Sequence, residues 1–197
     1  MVKTSRSRER RNRDPFGVFV FFDHYIVEIH TLNSMPRQNL IAHNKLEYAR
    51  GNRPQVDCIL CAVRDGHPDV ESLEVFRDDF FLICINLYPY NPGHIMIVPL
   101  RHVEWPYDLT DQEALHLHQL QKKAFAATHD LYQAPGYNIG YNLGRAGGGS
   151  IAHLHLHLVP RFHNEHGFMG SIGDVQLLVE SPQQMQAKFQ QWFQANP

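Results

Sequence analysis

The stretch His153-Leu154-His155-Leu156-His157-Leu158-Val159-Pro160 alternates histidine with leucine from residue 153 to residue 158. Side chains along a β-strand point alternately to the two faces of its sheet, so this pattern predicts a strand over residues 151–159. The leucines would enter a core, and the three imidazoles would stand in one row on the opposite face. Pro160 would close the strand.

Further strands are predicted on both sides of this stretch. Apolar and aromatic runs bounded by turn residues are typical of strands. Such runs occupy residues 80–87, 94–100, 137–143 and 175–179. Because hairpin-length segments join most of them, they favour an antiparallel sheet.

Two helices are predicted between and after these strands. Thr110 followed by Glu113 forms a capping-box pattern, which begins a helix that Pro135 and Gly136 end. Pro182 stands where a final helix would begin. Together the elements predict an α+β fold, an antiparallel sheet with one long helix packed on it and a C-terminal helix.

The composition limits the partners of the protein. The chain has 197 residues, 43% of them hydrophobic and 19% charged, with a net charge of −2. This balance favours one globular domain with appendages, and it gives no general attraction to nucleic acid or to a membrane surface. No apolar run approaches the roughly 20 residues of a membrane span. We therefore expect no nucleic-acid partner and no membrane partner.

Three cysteines indicate a reducing compartment. Cys58 and Cys61 form one Cys-x-x-Cys pair, and Cys84 is expected in the core. An odd, small number of cysteines does not resemble a secreted disulfide framework, so a cytoplasmic location is expected. The pair could bind a metal, act in redox chemistry or remain as two buried thiols.

The organisation along the chain predicts three parts. Residues 1–34 form an N-terminal extension that includes a dense charge run, residues 35–166 form the main domain, and residues 167–197 form a C-terminal strand and helix extension. The charge run is expected to stay solvated. An alternative is that translation begins at Met35.

The histidine row allows three interpretations: tolerated surface histidines, a metal tripod, or one nucleophilic imidazole oriented by its neighbours. An imidazole is partly unprotonated near neutral pH and can attack phosphorus. The following transfer needs donors for the phosphate oxygens, and the glycine-rich loop at 144–149 with Ser150 could supply them.

The run at 153–160 resembles the defining motif of the histidine-triad (HIT) superfamily. The segment 91–99 followed by His102 is similar to a second signature of that family, and Asn142 lies eleven residues before His153, where the family has an active-site asparagine. The resemblance covers roughly residues 56–165. It implies a HIT-like fold and a nucleotide substrate.

The resemblance also implies roles for single residues. His155 would be the nucleophile that carries a covalent nucleoside monophosphate, and His157 would contact the phosphate or leaving-group oxygens. Asn86 would hold the ribose hydroxyls. Nearer the phosphates, the resemblance implies a group of contacts from His94, Asn142, Gly148, Gly149 and Ser150. Gly149 is a departure, because many hydrolases of the family have glutamine there.

Similar family members bind structural zinc through a Cys-x-x-Cys pair and two histidines. The matching residues in this chain are Cys58, Cys61, His102 and His153. Such a four-coordinate site is closed and would stiffen the catalytic segment. No organic cofactor is implied.

The acceptor in the reaction is left open by the sequence. His157 at the third position favours a hydrolase that releases a nucleoside monophosphate. The run from Asn86 to His94 and the absence of glutamine at 149 are similar to a bacterial branch that includes diadenosine tetraphosphate phosphorylases. A third alternative is a non-catalytic nucleotide-binding module. The family further implies an adenine nucleotide substrate and a homodimer.

Overall fold

Five antiparallel strands form the central sheet, in the spatial order Glu74–Arg77, Phe81–Ile85, Ile95–Pro99, Leu156–Arg161 and Gly136–Gly140. The strands are β3 (Glu74–Arg77), β4 (Phe81–Ile85), β5 (Ile95–Pro99), β6 (Gly136–Gly140) and β7 (Leu156–Arg161). The helices are α1 (Ile59–Asp65), α2 (Asp111–Tyr132) and α3 (Pro182–Ala195), with a 3₁₀ turn at Pro106–Asp108. The predicted α+β fold, with a long helix and a C-terminal helix on an antiparallel sheet, is confirmed.

The structure is a computed structural model. It describes residues 54–163, 165 and 179–197, together with the backbone of two short strands, β1 (Phe21–Phe22) and β2 (Tyr25–Ile26). These two strands pair antiparallel in a compact unit of residues 1–39, and residues 40–197 form the second unit. The charge run of the N-terminal extension and nearly all of the strand predicted at 175–179 lie outside the described residues. No helix of the described part is long and apolar enough to cross a membrane.

The two faces of the sheet are covered by different elements. One face packs against α2 and α3 and forms the larger core, which includes Leu156, Leu158 and Phe189. The other face forms a smaller cluster with α1, where Leu60 meets Met96. Burial of this apolar area is the main stabilising term of such a fold. Because Met96 pairs with His157, the histidine lies on the smaller face, beside α1.

The long helix begins where the sequence predicts. Thr110 Oγ1 accepts from Glu113 N–H, and the Glu113 carboxylate accepts from Thr110 N–H. This capping box satisfies two donors at the helix start that would otherwise lack partners. The helix ends at Tyr132, before the Pro135 that could not continue it.

The predicted strand at 151–159 is wrong at its start, and it does not end before Pro160 but continues to Arg161. β7 begins only at Leu156, so His153 and His155 precede it and do not form one row with His157. The reason lies in the hydrogen bonding of residues 153 and 154. The His153 carbonyl accepts from the His155 ring at 2.7 Å, and Leu154 N–H donates to Val103 O at 2.6 Å, outside the sheet ladder.

Helix α1 and strand β3 are among the elements that the sequence did not predict. Helix α1 follows the Cys58 side chain, which accepts the Cys61 N–H and caps the helix. Strand β3 forms the edge of the sheet, and the side chains of Gln186 and Gln190 on α3 donate to the Glu74 carbonyl at 3.0 and 2.9 Å. The contacts between α3 and Glu74 join residues more than a hundred positions apart, so they leave no local signal in the sequence.

Candidate active site

The predicted catalytic and nucleotide-contacting side chains come from neighbouring strand ends. Asn86 follows β4, His94 precedes β5, and Asn142 follows β6 by two residues. His157 lies in β7 opposite Gly140. The antiparallel register thus gathers residues that are far apart in the sequence: Asn86, Asn142 and His157 line one cavity, and His94 is fully buried beside His157.

This cavity has a volume of about 280 Å³. His155, His157 and Asn142 stand at its wall with Asn86 and Ser150, and its remaining wall is largely apolar. The apolar lining comes from α1, the segment after it, β4 and β5, and includes Ile59, Leu60, Val63, Val70, Leu73, Ile85 and Met96. A mostly apolar pocket with a few grouped polar side chains is the usual form of a small-molecule site.

The tautomer of His155 is fixed by its own chain. Its Nδ1 lies 2.7 Å from the carbonyl oxygen of His153, which can only accept, so Nδ1 carries the proton. The lone pair is therefore on Nε2, the nitrogen away from this hydrogen bond. Burial lowers the pKa of His155, with the His153 carbonyl opposing that shift. The ring is thereby kept neutral and nucleophilic near pH 7.

A second hydrogen-bonded chain orients His157. Tyr90 N–H donates to His94 Nδ1 at 3.0 Å, so the proton of neutral His94 is on Nε2. That Nε2–H donates to His157 Nδ1 at 2.9 Å, which places the proton of His157 on its Nε2. Asn142 Nδ2 lies 3.2 Å from this nitrogen. Two N–H donors side by side at the cavity wall suit an anionic oxygen.

Burial keeps both of these histidines uncharged. Burial is the main cause and the neighbouring histidines add to it, so that the pKa of His94 is lowered to about 3 and the pKa of His157 to about 4. The side chains of His94 and His157 are buried, at 0% and 8% exposure. A neutral imidazole can both donate and accept, which the chain from Tyr90 to His157 requires.

Asn86 is held by the turn that follows it. Its Oδ1 accepts from Tyr88 N–H at 2.9 Å, and its Nδ2 lies 3.5 Å from His94 Nε2. The side chain also lines the cavity. Its predicted contact with ribose hydroxyls stays a prediction.

The glycine-rich loop uses its own backbone donors. Gly149 N–H donates to the Gly144 carbonyl at 2.9 Å, and Gly148 N–H donates to the Arg145 carbonyl at 3.1 Å. A Cβ on Gly149 would come within 2.5 Å of the Asn142 carbonyl oxygen, so this close approach requires glycine. Gly148 and Ser150 line the cavity. In this conformation the loop offers the Ser150 hydroxyl, whereas the N–H groups of Gly148 and Gly149 are already engaged.

The cysteine pair lies close to His102 and His153, and none of these four side chains lines the cavity. The ligand atoms of Cys58, Cys61, His102 and His153 all lie within 4.8 Å of one another. Sγ of Cys58 is 3.3 Å from His153 Nδ1, and Sγ of Cys61 is 3.3 Å from His102 Nδ1. His153 Nε2–H donates to the Pro99 carbonyl at 3.0 Å, which leaves the Nδ1 lone pair facing the sulfurs.

This cluster fits a tetrahedral metal ion. Around a Zn²⁺ ion, sulfur and nitrogen ligands stand about 3.6 Å apart, given metal–ligand bonds of about 2.3 and 2.1 Å. Three sulfur–nitrogen separations, of 3.3, 3.3 and 3.5 Å, are close to that value. Cys84 lies apart in the apolar cluster and is buried, as predicted.

A larger and more open groove of about 620 Å³ lies between α1, β3 and α3. It is lined by Arg64, Arg77 and several glutamines, and no histidine or cysteine contributes to it. The chemistry of the side chains therefore selects the smaller cavity as the candidate active site.

Comparison with known proteins agrees with the motif and the fold. A family model described as HIT domain matches residues 67–164. "Protein hit" of Bacillus subtilis is 30% identical over 112 residues, which cover 57% of this chain and 76% of that protein. This chain belongs to the HIT family.

Two further comparisons concern this HIT protein. An "AP-4-A phosphorylase" of Mycobacterium tuberculosis is 42% identical over 113 residues, and the match spans 57% of this chain and 58% of that protein. The crystal structure of a Hit-like protein from Bartonella henselae superposes with a TM-score of 0.57 at 18% identity, over 68% of this chain and 95% of that one. The latter comparison supports the fold alone.

The sequence did not reveal the groups that orient the histidines. These are backbone atoms: Tyr90 N–H for His94, the His153 carbonyl for His155 and the Pro99 carbonyl for the His153 ring. A backbone donor or acceptor has no residue signature. The proline and glycine residues between Tyr88 and Gly93 indicate a turn between β4 and β5, but not which backbone atom meets His94.

Proposed function

We propose that this HIT protein transfers a nucleoside monophosphate from a nucleoside or dinucleoside polyphosphate to His155, and from there to an acceptor. The observation that carries the proposal is the 2.7 Å hydrogen bond from His155 Nδ1–H to the His153 carbonyl. It leaves the Nε2 lone pair free on a buried, neutral ring that faces a cavity of nucleoside size.

In the first step the Nε2 lone pair of His155 forms a bond to the α-phosphorus. The bond from that phosphorus to the bridging oxygen breaks, and the remaining phosphate chain leaves with the electron pair. His157 Nε2–H and the Asn142 amide, which lie 3.2 Å from each other at the cavity wall, stabilise the charge on the phosphate oxygens. Donors of this kind typically contribute on the order of a hundredfold each to the rate.

In the second step an acceptor oxygen attacks the phosphorus and the N–P bond breaks. The electron pair returns to His155 Nε2, and the proton of the acceptor passes to the solvent or to a neighbouring imidazole. With water as acceptor, the product is a nucleoside monophosphate; with inorganic phosphate, it is a nucleoside diphosphate.

Inorganic phosphate is the second candidate acceptor, and two observations favour it. The relative at 42% identity is called an AP-4-A phosphorylase. Gly149 lacks the amide that a glutamine would offer to an attacking water, and a Cβ there would collide with the Asn142 carbonyl. Adenine preference and a homodimer stay predictions.

Product analysis tests both the reaction and the acceptor. The full-length chain is incubated with diadenosine tetraphosphate, with and without inorganic phosphate, and the nucleotides are separated. Release of AMP without phosphate supports hydrolysis, and release of ADP only with phosphate supports phosphorolysis. Equal turnover by His155→Ala would refute the proposal, whereas the exposed-loop substitution His163→Ala should leave turnover unchanged.

We further propose that Cys58, Cys61, His102 and His153 hold a structural zinc ion. The support is the tetrahedral spacing of their ligand atoms and the Pro99 carbonyl that orients His153. The set is closed by four protein ligands and lies apart from the cavity lining, so the ion would supply stability rather than chemistry. It would also fix residue 153, whose carbonyl orients the nucleophile.

A further inference from the structure

Two exposed aromatic residues, Trp105 and Tyr107, lie outside the cavity lining, and Trp105 packs beside the glycine-rich loop. The rings of Trp105 and Tyr107 are nearly parallel, with an interplanar angle of 5° and centroids 6.0 Å apart. Their exposed fractions are 37% and 78%. Large aromatic rings usually bury most of their surface. An exposed pair of parallel rings is therefore a candidate binding surface on which the flat ring of a ligand could stack.

The glycine-rich loop links this ring pair to the cavity. A Cβ built on Gly144 would lie 3.5 Å from Cη2 of Trp105, so the ring packs against the start of the loop. The Gly144 carbonyl accepts from Gly149 N–H at 2.9 Å. The residues on either side of Gly149, Gly148 and Ser150, line the cavity. One turn of backbone therefore separates Trp105 from the cavity rim.

The same turn carries a positive charge. Arg145 is exposed, and it makes no ion pair with any residue in the part of the chain that the structure describes. A guanidinium group binds phosphate oxygens with paired hydrogen bonds. Arg145 directly follows Gly144, against which the Trp105 ring packs, and its carbonyl accepts from the N–H of Gly148, a cavity-lining residue.

The size of the cavity explains why a second subsite is needed. A volume of about 280 Å³ lies near the lower limit for ligand pockets and accommodates one nucleoside. When the α-phosphate lies at His155, the remaining phosphates and a second nucleoside must leave the cavity over its rim. The glycine-rich loop forms that rim on the side of the phosphate-facing groups Asn142 and Ser150.

We propose that Trp105 and Tyr107 form a stacking subsite for the base of the second nucleoside of a dinucleoside polyphosphate. Arg145 contacts the phosphate chain between the two nucleosides. This inference rests on the proposed nucleotidyl transfer and narrows its substrate class to dinucleoside polyphosphates. Stacking on aromatic rings accepts any base, so the subsite selects for the presence of a second base and not for its identity.

The test compares two substrates that differ only by the second nucleoside: diadenosine tetraphosphate and adenosine tetraphosphate. Steady-state kcat/KM is measured for the wild-type chain and for Trp105→Ala, Trp105→Phe and the control Leu115→Ala, an exposed apolar residue on α2. Trp105→Ala is expected to lower kcat/KM for the dinucleoside about tenfold, mainly through KM, with little effect on adenosine tetraphosphate. Trp105→Phe should retain most of the preference, and Leu115→Ala all of it.

Equal effects of Trp105→Ala on both substrates, or no effect on either, would overturn the subsite while leaving the proposed transfer intact. Failure of the wild-type chain to turn over either substrate would instead refute the transfer reaction. Fluorescence gives a second measurement, because the other tryptophan, Trp192, is on α3 and donates to Asp130. Diadenosine tetraphosphate should quench the emission of His155→Ala, and the added change Trp105→Phe should abolish that quenching; equal quenching in both variants contradicts the subsite.

Discussion

At the scale of residues, two histidines two positions apart have opposite tautomers because different carbonyls accept from them. His155 donates from Nδ1 to the His153 carbonyl, and His153 donates from Nε2 to the Pro99 carbonyl. One histidine therefore offers Nε2 to the cavity side, and the other offers Nδ1 to the sulfurs. The residue types were readable from the sequence, but the tautomers depend on backbone atoms that only the fold brings near.

The first prediction concerns His94, which acts through His157. Replacing His94 by alanine removes the N–H that donates to His157 Nδ1, so the proton of His157 is no longer held on Nε2. We expect kcat to fall on the order of a hundredfold with a smaller change in KM. Steady-state kinetics measures this, with His116→Ala as the control, since His116 pairs with Asp78 away from the cavity. An unchanged kcat in His94→Ala would contradict the role of the chain from Tyr90 to His157.

At the scale of elements, the alternating pattern predicted the faces of β7 correctly but not its start. Leu156 and Leu158 enter the core while His157 faces the other way, as the period of two requires. The strand begins late because the residues before it have other partners. The His153 ring contacts Cys58 Sγ, and Leu154 N–H donates to the Val103 carbonyl. A pattern of residue types cannot reveal competition for backbone partners from another loop.

The second prediction concerns the glycine-rich loop. A Cβ on Gly149 would meet the Asn142 and Gly144 carbonyl oxygens at 2.5 and 3.0 Å, so Gly149→Ala must move the loop and with it Asn142 and Ser150. We expect kcat/KM to fall by at least about tenfold with a small change in thermal stability, because the loop is largely exposed. The matched control is Gly140→Ala, where a Cβ meets nothing within 4 Å. Equal activity of the two variants would refute the tight packing of the loop.

At the scale of the whole molecule, one face of the sheet packs into the larger hydrophobic core, and the other face carries the candidate active site. Helices α2 and α3 cover one face, and α1 leaves room for the cavity on the other. The sequence predicted this division, since its leucines and histidines alternate. It could not predict the cover of the edge strand by Gln186 and Gln190, because those contacts join residues over a hundred positions apart.

The third prediction concerns metal and stability. Cys58→Ser with Cys61→Ser should abolish zinc binding and lower Tm by about 10 °C, because a closed site contributes several kcal/mol to folding. Zinc content and thermal melts measure the two effects. Cys84→Ala, which leaves the cluster intact, should retain full zinc content. Equal zinc content in the double variant would exclude this ligand set.

The fourth prediction concerns acid stability. Burial lowers the pKa of His157 to about 4 and the pKa of His94 to about 3, from about 6.5 in the unfolded chain. Between these values the unfolded state binds more protons, so the free energy of unfolding should fall as pH drops from about 6.5 toward about 4. The pKa of Glu113 is lowered to about 2 by its hydrogen bond with Arg101, so its contribution is lost only below about pH 4.5.

Urea denaturation at several pH values between about 6.5 and about 4.5 measures this loss of stability. In this pH range the histidines contribute to the change, whereas Glu113 does not. The variant His157→Asn should lose stability less steeply over this range than the wild-type chain. Identical slopes would contradict the assignment of a neutral, buried His157.

The central claim is that His155 Nε2 becomes covalently linked to the α-phosphate. The most direct measurement mixes the full-length protein with diadenosine tetraphosphate, quenches within one turnover without acid, and records intact and peptide masses. We predict an added nucleoside monophosphate on the peptide that contains His155, retained in His163→Ala and absent in His155→Ala. Turnover with no adduct, or an adduct on another histidine, would contradict the account.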